Sequence, residues 1–207
     1  MSYSQNNEEE VIISYLAQRS RTIVESGKVG ELPTRLIDIG AFHPFKFSNT
    51  RRLIELGWTA VLVEPAPTLF KAFEEEYKDN DKITLLNIAI GDTTDHVKFY
   101  ESEGDAISTT SEAHKTKWSM ISYKEIMVPM LETVAFFNEY GKDVDFISLD
   151  TEGTNMVIFR LIPDWVWQQI SLFCIEHDGY YHEVKGKLVD FGFKELYRNA
   201  ENIILGK

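Results

Sequence analysis

Two short segments, Leu36-Ile37-Asp38-Ile39-Gly40-Ala41-Phe42-His43 and Val61-Leu62-Val63-Glu64-Pro65, constrain this chain more than anything else in it. Each opens as an apolar run of strand length and stops at a polar tip. One amphipathic stretch lies between them, so the three pieces read as a single β-α-β unit, whose two strands must run parallel. A glycine directly after the first strand lets a ligand approach the backbone closely. An acid at the tip of the second can accept from two neighbouring ribose hydroxyls. Asp38, Gly40 and Glu64 therefore predict a site for a nucleoside-bearing cofactor. A dinucleotide is excluded, because the second and third glycines of Gly-x-Gly-x-x-Gly are replaced by Phe42 and Phe45, which block a pyrophosphate.

The same alternation continues along the chain. Val11, Ile12, Tyr15, Leu16, Ile23 and Val24 recur at helical spacing over 8–26, an amphipathic helix ended by Gly27, Gly30 and Pro33. Strands are predicted at 35–39, 59–64, 83–90, 146–150 and 170–175, with two closing strands at 193–198 and 202–205 and a small extra one at 97–100. Ser48, Asn49 and Thr50 offer N-cap chemistry for the helix through Leu53 and Leu56, and Pro65 and Pro67 open the next one. Residues 126–130 look extended and lead into a helix through Phe137, and a last helix lies near 180–190. The polar, Ser- and Thr-rich stretch 102–123 reads as a long loop, which inside a compact domain is usually a lid or binding loop. Strands separated by helices imply an α/β fold with a mostly parallel sheet and helices on both faces. Ligands of such sheets sit beyond the carboxyl ends of the strands. Here those ends are Asp38 to Gly40, Glu64, Asn87 to Ala89, Asp150 to Glu152, and Glu176-His177-Asp178.

Bulk properties narrow the function classes. The 207 residues suit one domain, 1–207, with 1–33 as an N-terminal helical extension. The net charge is −12, from 33 acids against 21 Lys and Arg, with no basic patch, which disfavours nucleic acid. The lone Cys174 cannot form an intrachain disulfide, the start at 6–10 is polar and acidic rather than signal-like, and no apolar run is long enough to span a bilayer. A cytoplasmic protein is the expectation. Nothing in the sequence sets an oligomeric state.

Asp38-Ile39-Gly40-Ala41 resembles the first motif of S-adenosylmethionine-dependent methyltransferases of the Rossmann-like class. The run Asp38-Ile39-Gly40-Ala41-Phe42-His43-Pro44-Phe45-Lys46-Phe47-Ser48-Asn49-Thr50, then Gly57-Trp58 and Val63-Glu64-Pro65, is similar to the FkbM-type methyltransferase family. So are Asn87-Ile88-Ala89-Ile90-Gly91-Asp92, Asp145-Phe146-Ile147-Ser148-Leu149-Asp150-Thr151-Glu152-Gly153 and Ile175-Glu176, and the likeness spans about 34–178. The resemblance implies a Rossmann-like class I fold with a seven-stranded sheet, S-adenosylmethionine as cofactor, and O-methylation of hydroxyls, often on sugars or polyketide-type small molecules. By the same resemblance Asp38 engages the methionine amine and Glu64 holds the ribose diol. Ser48, Asn49 and Thr50 lie near the methionine end, and Asn87, Ile88 and Ala89 flank the adenine. Gly40, Ala41, Pro65 and Asp150 complete the implied cofactor set. The N-terminal helix and the 102–123 segment match none of these motifs, and the latter is the expected acceptor-binding loop.

An alcohol is a poor nucleophile at neutral pH, so methyl transfer to it needs positioning and removal of a proton. His177 could act as general base, or a divalent cation could acidify the hydroxyl. Magnesium-using Rossmann-like O-methyltransferases hold the ion with acids from the two corresponding strand ends. Here that implies Asp150, Glu176 and either Asp178 or His177, an oxygen-rich set suited to Mg²⁺ or Mn²⁺. Asp150, Glu176 and His177 are thus the catalytic candidates. Plainer readings stand beside them: Glu152 as a helix-capping acid, His177 as a structural histidine, Cys174 as inert core, Trp165 and Trp167 as packing. His114 and Trp118 are acceptor-binding candidates on the loop. The expected acceptor is a sugar or glycan, with a small non-sugar metabolite as the enzymatic alternative and a silent cofactor- or glycan-binding module as the non-enzymatic one.

Overall fold

The computed structural model describes residues 2–28, 30, 32–102 and 106–207. The opening helix α1 (Glu8–Glu25) precedes β1 (Arg35–Ile39), α2 (Arg51–Glu55), β2 (Thr59–Val63), α3 (Pro67–Tyr77) and β3 (Ile83–Leu86). There follow β4 (Ala89–Gly91), β5 (Asp95–Ser102), α4 (Glu112–Lys117), β6 (Tyr123–Glu132), α5 (Thr133–Tyr140) and β7 (Phe146–Leu149). The chain ends with α6 (Asn155–Leu161), α7 (Asp164–Gln169), β8 (Leu172–Glu176), α8 (Tyr181–Val189), β9 (Lys194–Arg198) and β10 (Asn202–Gly206). Among the described residues, no helix is long and apolar enough to cross a membrane.

Seven strands form one sheet in the order β3-β2-β1-β7-β8-β10-β9. The first five run parallel, and β10 is antiparallel to both its neighbours. Side chains alternate across each strand, so the sheet buries two cores. Ile37 and Ile39 of β1 face Phe136, Phe159, Trp167 and Leu188 from α5 to α8. Leu36 faces the other way, onto Ile12, Leu16, Leu53 and Phe73 from α1 to α3. The switch in strand order falls between β1 and β7, which fixes where a ligand crevice opens.

Two expectations need correction. The 83–90 segment is not one strand. Asn87 turns its side-chain amide onto the carbonyls of Glu64, at 2.8 Å, and Pro65, at 3.1 Å. The chain therefore leaves the main sheet after Leu86, and Ala89–Gly91 pairs with β6 in a second sheet of order β4-β6-β5. Second, 102–123 is not wholly a loop. Ser111 Oγ accepts from the His114 amide at 3.2 Å and starts α4, while Thr109 pairs backbone to backbone with Tyr100. β6 begins at Tyr123, ahead of the expected 126, and residues 103–105 of the segment lie outside the described residues. The extra strand expected at 97–100 is the centre of a longer hairpin arm, β5, paired with β6.

Candidate active site

Gly40 lies where the tips of β1, β2 and β7 meet. Its φ is 81°, and a Cβ there would fall 1.7 Å from the Asp150 carbonyl oxygen, so only glycine fits. The amides of Gly40 and Ala41 both donate to the Val63 carbonyl, at 2.9 and 3.0 Å, and the Asp150 amide donates to Ile39 at 2.9 Å. Three polar tips are thereby locked side by side.

Glu64, just past β2, is buried, and its carboxylate accepts from the backbone amides of Phe42 and Ala66, both at 2.8 Å. Burial pushes its carboxyl up to about 8 against those two bonds, and the charges of Asp38 and Glu101 add to the rise. Asp38 shares the β1 face of Leu36 and is buried beside the Thr50 hydroxyl, which donates to it at 2.6 Å. Burial lifts it to about 6, opposed by the Thr50 and Ser148 hydroxyls. Ser48 Oγ accepts from the Arg51 amide at 3.0 Å, bracing the turn into α2, whose N-cap Thr50 makes no side-chain cap bond because its hydroxyl goes to Asp38, and the Ser48 amide donates to the Tyr3 carbonyl at 3.1 Å. The N-terminal residues are thus strapped across this end of the site.

Three connected recesses open here, and Asp150, Glu152 and Ala106 line all of them. The first, with 530 Å³ of free space, is an apolar slot walled by Gly40, Pro65, Leu69, Ile88, Ala89 and Phe99, with Glu64 in its lining. The second, of 470 Å³, is a polar basin with Asp38, Asn49, Ser148 and Gln5. The third, of 1030 Å³, is a wide trough with Phe47, His114, Trp118, Glu176, Asp178 and Glu201. Most residues expected at a cofactor site are brought together. Asn87 is not: its amide holds the Glu64 and Pro65 backbone, while Ile88 and Ala89, expected with it, do line the slot. Ser48 and Thr50 act from behind, bracing the turn and Asp38.

An acid cluster sits where the recesses join. Ligand-capable atoms of Asp150, Glu152 and Glu176 lie within 4.8 Å of one another. Burial and mutual repulsion push Asp150 up to about 7, Glu152 to about 8 and Glu176 to about 9. Oδ1 of Asp150 is buried without a hydrogen-bond partner. Crowded carboxylates with an orphaned oxygen are a donor set that a hard divalent cation would satisfy. Asn155 steadies the cluster, its amide nitrogen donating to Glu176 at 2.7 Å and Asp178 at 3.1 Å. Glu152 adopts φ 53°, a left-handed conformation rare outside glycine, and Gly153 continues it at φ 96°. Its carbonyl accepts from Thr109 Oγ1 at 2.6 Å, and its carboxylate lies 3.2 Å from His114 Nε2.

Of the residues expected to hold a cation, Asp150 and Glu176 fall in this group. Asp178 lines the trough, but its carboxylate falls outside the group formed by Asp150, Glu152 and Glu176. His177 is buried away from all three recesses, with Nδ1 accepting from the Gly179 amide at 3.0 Å and Nε2 3.4 Å from the Asn199 carbonyl. Both ring nitrogens are engaged by backbone, which suits the structural reading of this histidine. Glu152 is the third acid of the group, and the signal for it was the Glu-Gly pair at a strand tip, a left-handed turn that aims an acid into the crevice.

Residues 38–195 match the profile of the methyltransferase FkbM domain. No curated protein matches the chain. Among solved structures, the FkbM methyltransferase of Methylobacillus flagellatus KT is similar with a TM-score of 0.56 at 11% identity, over 84% of this chain and 44% of that one. The chain thus spans less than half of that longer protein. Monomeric WbdD gives 0.47 at 10% identity over 99% of this chain and 41% of that one. The N-terminal domain of human METTL16, in complex with S-adenosylhomocysteine, gives 0.46 at 12% identity over 93% and 68%. At 11% identity, the likeness to the Methylobacillus flagellatus structure speaks for the fold alone.

Proposed function

The chain belongs to the FkbM methyltransferase family, and from that premise we propose that it moves a methyl group from S-adenosylmethionine to a hydroxyl of a sugar or glycan, with a divalent cation at the acid cluster. The observation that carries this reading is the line of recesses shared by Asp150 and Glu152: an apolar slot over Glu64, a polar basin over Asp38 and a wider trough beyond. That sequence of surfaces suits an adenosine, an amino acid and an acceptor in turn.

S-adenosylmethionine supplies an electrophilic sulfonium methyl group. In the protein, Pro65, Leu69, Ile88, Ala89 and Phe99 would enclose the adenine, and Glu64, already oriented by two backbone amides, would accept from the ribose diol. Asp38, Asn49 and Gln5 would hold the methionine end, where a carboxylate suits an ammonium and a sulfonium. Asp150, Glu152 and Glu176 would hold Mg²⁺ or Mn²⁺, which lowers the pKa of a bound hydroxyl. His177 is not given a part in the chemistry.

Calorimetry with S-adenosylmethionine and S-adenosylhomocysteine, followed by a mass-spectrometric screen of sugar acceptors with and without EDTA, tests this directly. Donor binding and cation-dependent methylation are expected. Absence of donor binding would overturn the reading, and undiminished turnover in excess EDTA would remove the cation from it. Asp150→Asn should abolish turnover while the donor still binds.

A further inference from the structure

We propose that the widest recess is a pyranose subsite with Phe47 and Trp118 as its stacking surfaces, selecting a cyclic glycoside as the acceptor. The inference rests on the methyl-transfer reading above and adds the shape of the substrate to it.

Phe47 and Trp118 come from distant parts of the chain, yet both line this one recess, and both leave much of their surface in solvent: Phe47 is 53% exposed and Trp118 42%. Large aromatic side chains left this open in a concave site mark a binding surface rather than core. Phe47 is also held at a backbone cost. Its φ is 55°, as is that of Phe42, and the two rings stack at 5.9 Å with 16° between their planes. A bulky residue in the left-handed region persists only where the surroundings force it. Trp118 closes α4, next to His114, whose ring centroid lies 6.5 Å away.

The rest of the lining is suited to hydroxyls. Gln5 and Glu201 offer an amide and a carboxylate in the same lining as Asp150, Glu152 and Glu176. Aromatic faces with hydrogen-bonding groups around them recognise a pyranose, which has apolar C–H faces and a polar equator. An acyclic polyol has the same hydroxyls without the flat face.

Binding to the full protein saturated with S-adenosylhomocysteine and Mg²⁺ decides the matter, with methyl hexopyranosides and the matching alditols as probes in saturation-transfer NMR. Pyranosides should bind, and alditols should not. Phe47→Ala and Trp118→Ala should each weaken pyranosides by about three- to tenfold, while Trp118→Ala leaves S-adenosylhomocysteine affinity in place. Phe47→Gly should weaken the sugar equally yet keep or raise Tm, because glycine accepts this φ without strain. Alditols binding as well as pyranosides would overturn the proposal. So would unchanged pyranoside affinity in both alanine variants, or a Phe47→Gly protein that loses stability and keeps the sugar. Failure of S-adenosylhomocysteine to bind the wild type would instead strike the underlying methyl-transfer reading.

Discussion

Replacing Glu176 by Gln in metal-free buffer should make the protein more stable, and only at neutral to alkaline pH. The carboxyl is pushed up to about 9, chiefly by burial and then by the charges of Asp150 and Asp178. In the unfolded chain it titrates in the ordinary glutamate range, near 4.3. Below about pH 4 both states are protonated and the group adds no pH dependence. As pH rises from there towards 9, the unfolded chain gives up its proton and the native state keeps it. Native stability therefore falls with rising pH, by up to about 1.4 kcal/mol per unit. Taken alone the group would cost about 5 kcal/mol by pH 8, and the neighbouring acids that share its proton reduce this to roughly 3–5 kcal/mol. Glutamine removes that cost while its oxygen can keep the 2.7 Å bond from Asn155. For a chain of 207 residues the gain amounts to a Tm rise of roughly 6–20 °C at pH 8, shrinking towards zero near pH 4.5. Thermal melts of both proteins across pH 4.5–9 in EDTA provide the measurement, taking those two ends as about the span of the two titrations. A shift of equal size at both ends, or a loss of stability at pH 8, would refute the reasoning. The same substitution should remove any Mn²⁺-induced stabilisation seen in the wild type.

Three further outcomes are expected. Gly40→Ala places a Cβ 1.7 Å from the Asp150 carbonyl oxygen, backbone against backbone, so it should cost about 3–5 kcal/mol and abolish donor binding; a melting curve unchanged from wild type would contradict this. In the wild type, donor affinity should rise as pH passes from 6 towards 9, because Glu64 ionises at about 8. Glu64→Gln should lose that pH dependence and bind the donor about tenfold to a hundredfold more weakly by calorimetry. His177→Ala should lower stability by about 1–3 kcal/mol yet leave the pH profile of kcat where it was, and a profile that moves would return His177 to the chemistry.

The strand tips were legible because a strand ending in an acid and a glycine is a local pattern: Asp38, Gly40 and Glu64 needed only their neighbours to be recognised. The parallel order followed from the spacing of the helices. What escaped was set by contacts far apart in sequence. The break after Leu86 depends on Asn87 reaching the carbonyls of Glu64 and Pro65, which turns an apparently continuous apolar strand into two. His177 looked catalytic beside two acids, but Asn199 and Gly179 take up its ring nitrogens. α4 is short and polar, so its 3.6-residue pattern was invisible, and Ser111 was its only local mark. Glu152 was legible as an acid at a strand tip, but its direction was set by a left-handed backbone that only the Gly153 beside it hinted at.

The break at Asn87 has a mechanical consequence. The apolar slot is walled on one side by Ile39 and Val63 of the large sheet and on the other by Ala89, Ile90 and Phe99 of the small one. A flat base wedged into that seam would act like mortar between two bricks, resisting rotation of the hairpin arm against the rest of the body. Amide protons of the β5–β6 ladder, remote from the methyl group itself, should then exchange more slowly when adenosine alone is bound.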